Sequence, residues 1–178
     1  MKQVWQIDPA FKRLSVPLSP EEENKLENSL IRKGCMEPIT VWHGCILDGH
    51  KRYDICSYEE MDYKTVEMDF ATREDAIIWV CKNRVRESSA DKTIYKYLVG
   101  KWYNAEKTRI HAKRKEERRK SLDLEIKQKG TAGQLVSVPV DRISKVIAAQ
   151  ISMSYNSVES YGMLAKFLDE IAEKDEAF

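Results

Sequence analysis

No run of apolar residues in this 178-residue chain is long enough to span a membrane, and the first residues, Met1 to Trp5, lack the apolar stretch of a secretion signal. A soluble, cytoplasmic protein is expected. The four cysteines, Cys35, Cys45, Cys56 and Cys81, form no Cys-x-x-Cys pair, and no histidines stand at ligand spacing. Buried reduced thiols are expected rather than a zinc site, and no metal-binding residue is assigned. The sequence shows no carboxylate cluster either, which argues against a two-metal nuclease centre.

A surplus of either charge is also missing, the formal net charge being +1. Taken alone that says nothing about a nucleic-acid partner, but the distribution is uneven. Residues 1–100 hold 15 Lys and Arg against 17 Asp and Glu, residues 101–130 hold 11 against 5, and residues 131–178 hold 4 against 7. A local basic segment can attract DNA phosphates even when the whole chain is near neutral. The length allows one large or two small domains with a real core.

What is present reads as alternating strands and helices. Residues 4–8 look like a first strand, and Pro9 and Pro17 bracket an extended connection. Ser19 as N-cap, Pro20 in the first helical position and Glu22 completing a capping box predict a helix whose apolar stripe is Leu26, Leu30 and Ile31, closed by Gly34. Short strands over 39–42 and 45–48 meet at a tight turn, His43 and Gly44, and a helix follows over 50–58. A strand over 64–70 carries Val66 and Met68. Thr72 and Asp75 then open a helix through Ile77, Ile78, Val80 and Cys81 that ends near 83–87.

Ser88, Ser89 and Asp91 offer caps for a further helix with Ile94, Tyr95, Leu98, Trp102 and Tyr103 on one face. Its continuation over 107–120 is basic and could be an exposed helix or a linker. The glycines of 130–134 mark a boundary. Beyond it Ile143, Val146, Ile147 and Ile151 predict one amphipathic helix, Ser152 and Met153 a turn, and Ser154 the cap of a second helix with Val158 and Tyr161. Leu164, Ala165, Leu168 and Ile171 prolong its apolar stripe. This is helix-turn-helix spacing, with Ala148 at the close-packing position.

The chemistry centres on the stretch from Ile46 to Cys56, where an apolar strand turns sharply at Gly49 into a helix. Glycine lets backbone approach a ligand, the first helical turn leaves N–H groups unpaired, and Arg52 stands one turn in, able to grip a phosphate with two prongs. A phosphate site is one reading; the other is a tight turn with an arginine in a surface ion pair. His50 and Asp48 invite acid/base chemistry, but an exposed first-turn histidine and a polar strand end are the plainer expectation, and no catalytic residue is assigned.

The spacing Gly49-x-x-Arg52 followed by an aromatic resembles the phosphate motif of the ParB and sulfiredoxin superfamily. Glu37-Pro38-Ile39-Thr40-Val41 resembles that family's Gln-Pro-Ile-x-Val strand, and Lys82-Asn83-Arg84-Val85-Arg86-Glu87 its Glu-Asn-x-x-Arg-Glu segment. The resemblance covers residues 5–100 and, for the helix-turn-helix, 140–172. It implies an α+β protein: a ParB-like mixed domain over 1–100, a basic helical linker over 101–138 and a helix-turn-helix module over 139–178.

It also implies a phosphate or nucleotide site of Gly49, His50, Lys51, Arg52, Asn83 and Arg86, taking CTP or another nucleoside triphosphate with Mg. Two departures matter. His50 stands where sulfiredoxins carry the catalytic cysteine, so that chemistry is not expected. Lys82 stands where CTP-using members carry an acid that helps hold the metal, which counts against metal-dependent hydrolysis.

DNA contact is expected from two places. In 107–120, eight basic residues, among them Lys113, Arg114, Lys115, Arg118 and Arg119, face only Glu116 and Glu117. Such a run is either a solvated helix face or a salt-sensitive phosphate contact. In the second helix of the module, Tyr155, Asn156, Ser157, Glu159 and Ser160 are candidates for the major groove, where asparagine can read adenine and glutamate cytosine. A helical hairpin for dimerisation or a protein partner is the other reading there. The leading expectation is a ParB-like DNA-binding protein for partition or regulation of a bacterial mobile element, nucleoid-associated and homodimeric, with a nucleotide site that is either vestigial or functional and responsive. The alternative is an enzyme on the same scaffold: a nucleotide hydrolase, kinase or nuclease.

Overall fold

The computed structural model describes residues 4–87, 92–127 and 141–175, and the chain divides into two compact units, Met1–Ile94 and Tyr95–Phe178. Among the described residues no helix is long and apolar enough to cross a membrane.

The first unit is built on a three-stranded sheet in the order β2-β1-β3, with β1 over Ile39–Trp42, β2 over Cys45–Asp48 and β3 over Thr65–Glu67. β1 and β2 form an antiparallel hairpin. His43 and Gly44 both take positive φ at its tip, 46° and 79°, as a two-residue turn matched to strand twist requires. β3 runs parallel to β1, Ile39 opposite Thr65. Ile39, Val41 and Ile46 are buried together, with Trp5, Tyr53 and Tyr63 against them.

The ladder between β1 and β2 slips between Thr40 and Val41, whose partners are Asp48 and Ile46. Leu47 is thus the extra residue of a β-bulge, and both Ile46 and Leu47 are buried although neighbours on a regular strand face opposite ways.

Helices complete the unit. α1 covers Pro9–Lys12, α2 Pro20–Lys33, α3 His50–Tyr58 and α4 Arg73–Glu87. In α2 the capping box forms as the sequence predicts: Glu22 N–H donates to Ser19 Oγ at 3.3 Å, and Ser19 N–H donates to Glu22 Oε2 at 2.8 Å. Gly34 closes the helix in a positive-φ conformation. Thr72 Oγ1 accepts from Asp75 N–H at 3.2 Å at the start of α4.

Several expectations need correction. The strand over 4–8 reduces to one bridge, Gln6 beside Cys45. Asp8 ends it by capping α1, its carboxylate accepting from Ala10 N–H at 2.9 Å. The stretch between Pro9 and Pro17 is therefore not simply extended: Pro9 takes the first turn of α1, where its missing N–H costs nothing, and the helix turns Phe11 into the core. Arg73 fastens it there, pairing with Asp8 at 2.6 Å and lying 4.8 Å above the Phe11 ring. The strand over 64–70 keeps only three residues, and Val66 is exposed because β3 is an edge with little beyond it. Ile31 is likewise exposed, so the buried side of α2 is narrower than its apolar spacing suggests.

The second unit holds α5 over Lys92–Lys127, apart from its first residues, with α6 over Asp141–Gln150 and α7 over Tyr155–Asp175. The proposed caps Ser88, Ser89 and Asp91 and the 130–134 boundary lie outside the described residues. The basic stretch is helix throughout. α5 and α7 cross closely: Asn104 Nδ2 donates to the Gly162 carbonyl at 2.8 Å, and Tyr97 and Lys101 both donate to Asp169 at 2.7 Å.

The turn between α6 and α7 closes when Met153 N–H donates to the Ala148 carbonyl at 2.9 Å. Ser152 takes φ 53° there, the left-handed position that glycine usually fills. Ser154 caps α7, accepting from Ser157 N–H at 3.2 Å. Ile143, Ile147, Ala148 and Val158 are buried, but Val146 is exposed, on the outer side of α6.

Candidate functional site

Gly49 is the N-cap of α3 with φ 89° and ψ 23°, a left-handed conformation that opposes any side chain. The turn leaves the first N–H groups of α3 without a side-chain cap. Arg52 folds back over it, and a β-carbon at Gly49 would lie 3.1 Å from Arg52 Nη2. The first two matched segments meet at this guanidinium, and the third joins them through Asp48. Nη1 donates to Glu37 Oε2 at 2.7 Å, and Nη2 reaches the Pro38 carbonyl and Asp48 Oδ2, each at 3.4 Å. Arg84, from the third segment, pairs with the other oxygen of Asp48. Asp48 follows the bulge directly and links the two arginines.

His50 is not the exposed first-turn residue expected from sequence. It is 3% exposed, with Nδ1 3.1 Å from Ser15 Oγ, and Nε2 has no hydrogen-bond partner. Burial pushes its pKa below the ordinary 6.5, against the opposing pull of Asp48 and Asp54. A helix start ordinarily faces water; here the segment after α1 covers it. Lys51 pairs with Glu23 of α2 at 2.6 Å, a hydrogen bond that raises its pKa.

The six residues expected at the phosphate site divide between two neighbouring clefts. Gly49, His50, Lys51 and Arg52 line one of about 270 Å³, together with Ser15, and Asn83 and Arg86 line the other, of about 250 Å³. Arg84 lines both. Sequence reading quoted Arg84 within its segment but assigned it no place at the site, and left Ser15 out. Arg84 lies inside the matched segment and could have been weighed, whereas nothing around Ser15 signals a contact 35 residues away.

The donors fit an anion: a helix start without a side-chain cap, the unpartnered His50 Nε2 and an Arg52 Nε that also lacks a partner. A divalent metal fits poorly. Asp48 and Glu37 already face arginines, and among the described residues no three ligating side chains gather.

In the second unit the cations of α5 spread around the helix. At about 100° per residue, His111, Lys115, Arg118 and Arg119 share one side, all exposed. Lys113 lies exposed across the helix and Arg114 is half-buried. Arg119 reaches Glu116 at 3.2 Å. Of the groove candidates on α7, Ser157 is engaged in the cap and Glu159 accepts from Ser144 at 2.8 Å. Tyr155, Asn156 and Ser160 stand exposed, with Lys145 5.6 Å from the Tyr155 ring.

No family profile matches the sequence, and no curated protein does. The fold has counterparts among solved structures. One is the pNOB8-like ParB N-domain in its C2221 crystal form, 18% identical, with a TM-score of 0.58 over 88% of this chain and 64% of that one. A second structure of the pNOB8-like ParB N-domain is 16% identical, with a TM-score of 0.58 over 90% of this chain and 60% of that one. This chain thus spans less than two thirds of those proteins' length. The aligned share exceeds the first unit alone, and the chain has the α+β fold of a ParB N-domain.

Proposed function

We propose that this chain is a ParB-like, partition-type DNA-binding protein of a bacterial mobile element, holding DNA through its second unit and sensing a nucleotide through the Gly49 turn. The observation that carries the DNA reading is the exposed cationic side of α5, Lys115, Arg118 and Arg119, in the same compact unit as the α6–α7 pair. Cations so placed hold the phosphate backbone, while Tyr155, Asn156 and Ser160 remain open for base edges. The nucleotide reading rests on the anion donors around Gly49 and His50. A phosphate there would have to draw Arg52 away from Glu37 and Asp48, a rearrangement that makes the site responsive rather than permanently charged.

The experiment is anisotropy of a labelled random-sequence duplex across a salt series, comparing wild type with K115Q/R118Q/R119Q. Loss of three phosphate contacts should flatten the log–log salt dependence by about three and weaken binding at least about tenfold at low salt. Equal affinity and slope in the two proteins would remove α5 from the interface. An additional N156A change should reduce discrimination among sequences while leaving random-sequence affinity unaltered.

A further inference from the structure

The second cleft beside the Gly49 turn is built differently from the first. Its lining takes Trp79, Asn83 and Arg86 from α4, with Arg84 and Asp48. Trp79, Asn83 and Arg86 are spaced four and three residues apart, so they share one side of the helix. Phe70 holds the half-buried Trp79 ring, the two centroids 5.9 Å apart and the planes tilted by 51°. The Phe70 carbonyl is itself fixed, accepting from the Trp42 indole N–H at 3.1 Å. Among the described residues the Asn83 amide makes no hydrogen bond.

These groups suit a heterocyclic base better than a phosphate. A held indole is a stacking platform for any base, because every base has a π-face. A carboxamide sets a donor beside an acceptor, as base edges do, whereas a phosphate offers acceptors only and would leave the Asn83 carbonyl unmatched. Size points the same way. The two clefts, about 270 and about 250 Å³, each fall below the roughly 300 Å³ at which small-molecule sites begin, and together they lie within that range. Arg84 lines both, so one ligand reaching from the Gly49 turn past Arg84 would fill the pair.

We propose that the base of the bound nucleotide lies in this second cleft, stacked on Trp79 with its edge against the Asn83 carboxamide. The inference rests on the nucleotide reading of the Gly49 turn and divides the ligand between the clefts, phosphates to Gly49 and Arg52, base to Trp79 and Asn83. Trp79 and Asn83 then govern nucleotide affinity and the choice of base, and take no part in holding inorganic phosphate.

The test is calorimetry of the full chain with CTP, ATP, GTP and inorganic tripolyphosphate. W79L should weaken the tightest-bound nucleotide at least about fivefold, the loss of one base stack, and leave tripolyphosphate binding unaltered. W79F, which keeps a stacking ring, should recover most of the nucleotide affinity. N83A should bring the affinities for the three nucleotides closer together. Nucleotide binding indifferent to W79L, or tripolyphosphate binding weakened as much as nucleotide binding in a protein of unchanged helical content, overturns the proposal. Should W79L lose helical content, N83A decides, and unchanged ratios among the three nucleotides overturn it. A wild-type protein that binds tripolyphosphate no more weakly than any nucleotide places no base in the cleft, whereas one that binds neither also removes the reading of the Gly49 turn.

Discussion

Gly100 lies directly beneath the main-chain carbonyl of Tyr161. A β-carbon on Gly100 would fall well inside van der Waals contact with that oxygen, so α5 and α7 approach as closely as they do because position 100 has no side chain. Gly162 makes the reciprocal approach, against the Tyr103 ring.

These two glycines should differ in what they tolerate. Alanine at 100 collides with backbone, which can yield only by moving a helix, whereas alanine at 162 would lie 2.5 Å from Tyr103 Cδ1, part of a side chain that can rotate. G100A should therefore cost about 3 kcal/mol or more, and G162A about 1–2 kcal/mol, in line with overpacked cores. Urea unfolding of the two variants orders them; equal costs would mean that the crossing is looser than described.

Burial of His50 ties stability to pH. Its folded pKa lies below the ordinary 6.5, so between the two values the unfolded chain binds the proton and the folded chain does not. Stability due to this group is therefore full above about pH 6.5 and declines as pH falls towards the folded value. Thermal unfolding at pH 7.5 and 5.5 should show a larger drop in Tm for wild type than for H50Q, which can keep the contact with Ser15 without titrating. Parallel drops would place the proton elsewhere.

Arg52 poses a competition between Glu37 and a phosphate. The Glu37 carboxylate is 77% exposed, so its pair with Arg52 at 2.7 Å contributes at most about 1 kcal/mol to stability. E37A should leave Tm within about 2 °C and tighten triphosphate binding several-fold, while R52A abolishes it. Calorimetry with CTP, ATP and GTP, with and without magnesium, decides this. Binding that survives in R52A would place the nucleotide elsewhere.

Ser152 occupies a left-handed position at φ 53°, which costs an L-residue roughly 1–2 kcal/mol relative to glycine before the entropy of the unfolded chain is counted. S152G should stabilise the second unit by about 0.5–1 kcal/mol, because the Met153 to Ala148 closure already demands that conformation. A neutral or destabilising result in chemical denaturation would show that the serine side chain contributes more than its strain removes.

Local signals placed most elements and failed wherever distant contacts decided. The capping box at Ser19, the hairpin turn at His43 and Gly44 and the Gly49 helix start are readable because each depends on residues within four positions. α1 was missed because Asp8 and Pro9 make a helix of four residues, too short for any apolar period to register. Its reason to exist is Arg73, 65 positions away, which pairs with Asp8 and covers Phe11. Ile31, Val146 and Ile171 read as core by spacing yet lie exposed, since spacing shows which side of a helix is apolar but not whether anything covers it.

For the site, the sequence by itself determined the turn: glycine at 49, a helix start behind it and an arginine one turn on follow from backbone sterics and helix geometry. It also determined that the positive charge gathers in 101–130. Only the tertiary structure decided where those groups face. The bulge at Leu47 delivers Asp48 between Arg52 and Arg84, so Arg52, the expected anion grip, already holds carboxylates, as does Arg84. The chain after α1 covers His50, and Arg84 stands between the Gly49 cleft and Asn83. The deciding contacts, Arg52 with Glu37, Asp48 with Arg84 and His50 with Ser15, join residues far apart in sequence; packing and the need to pair charge taken out of water set them, and no local pattern encodes them.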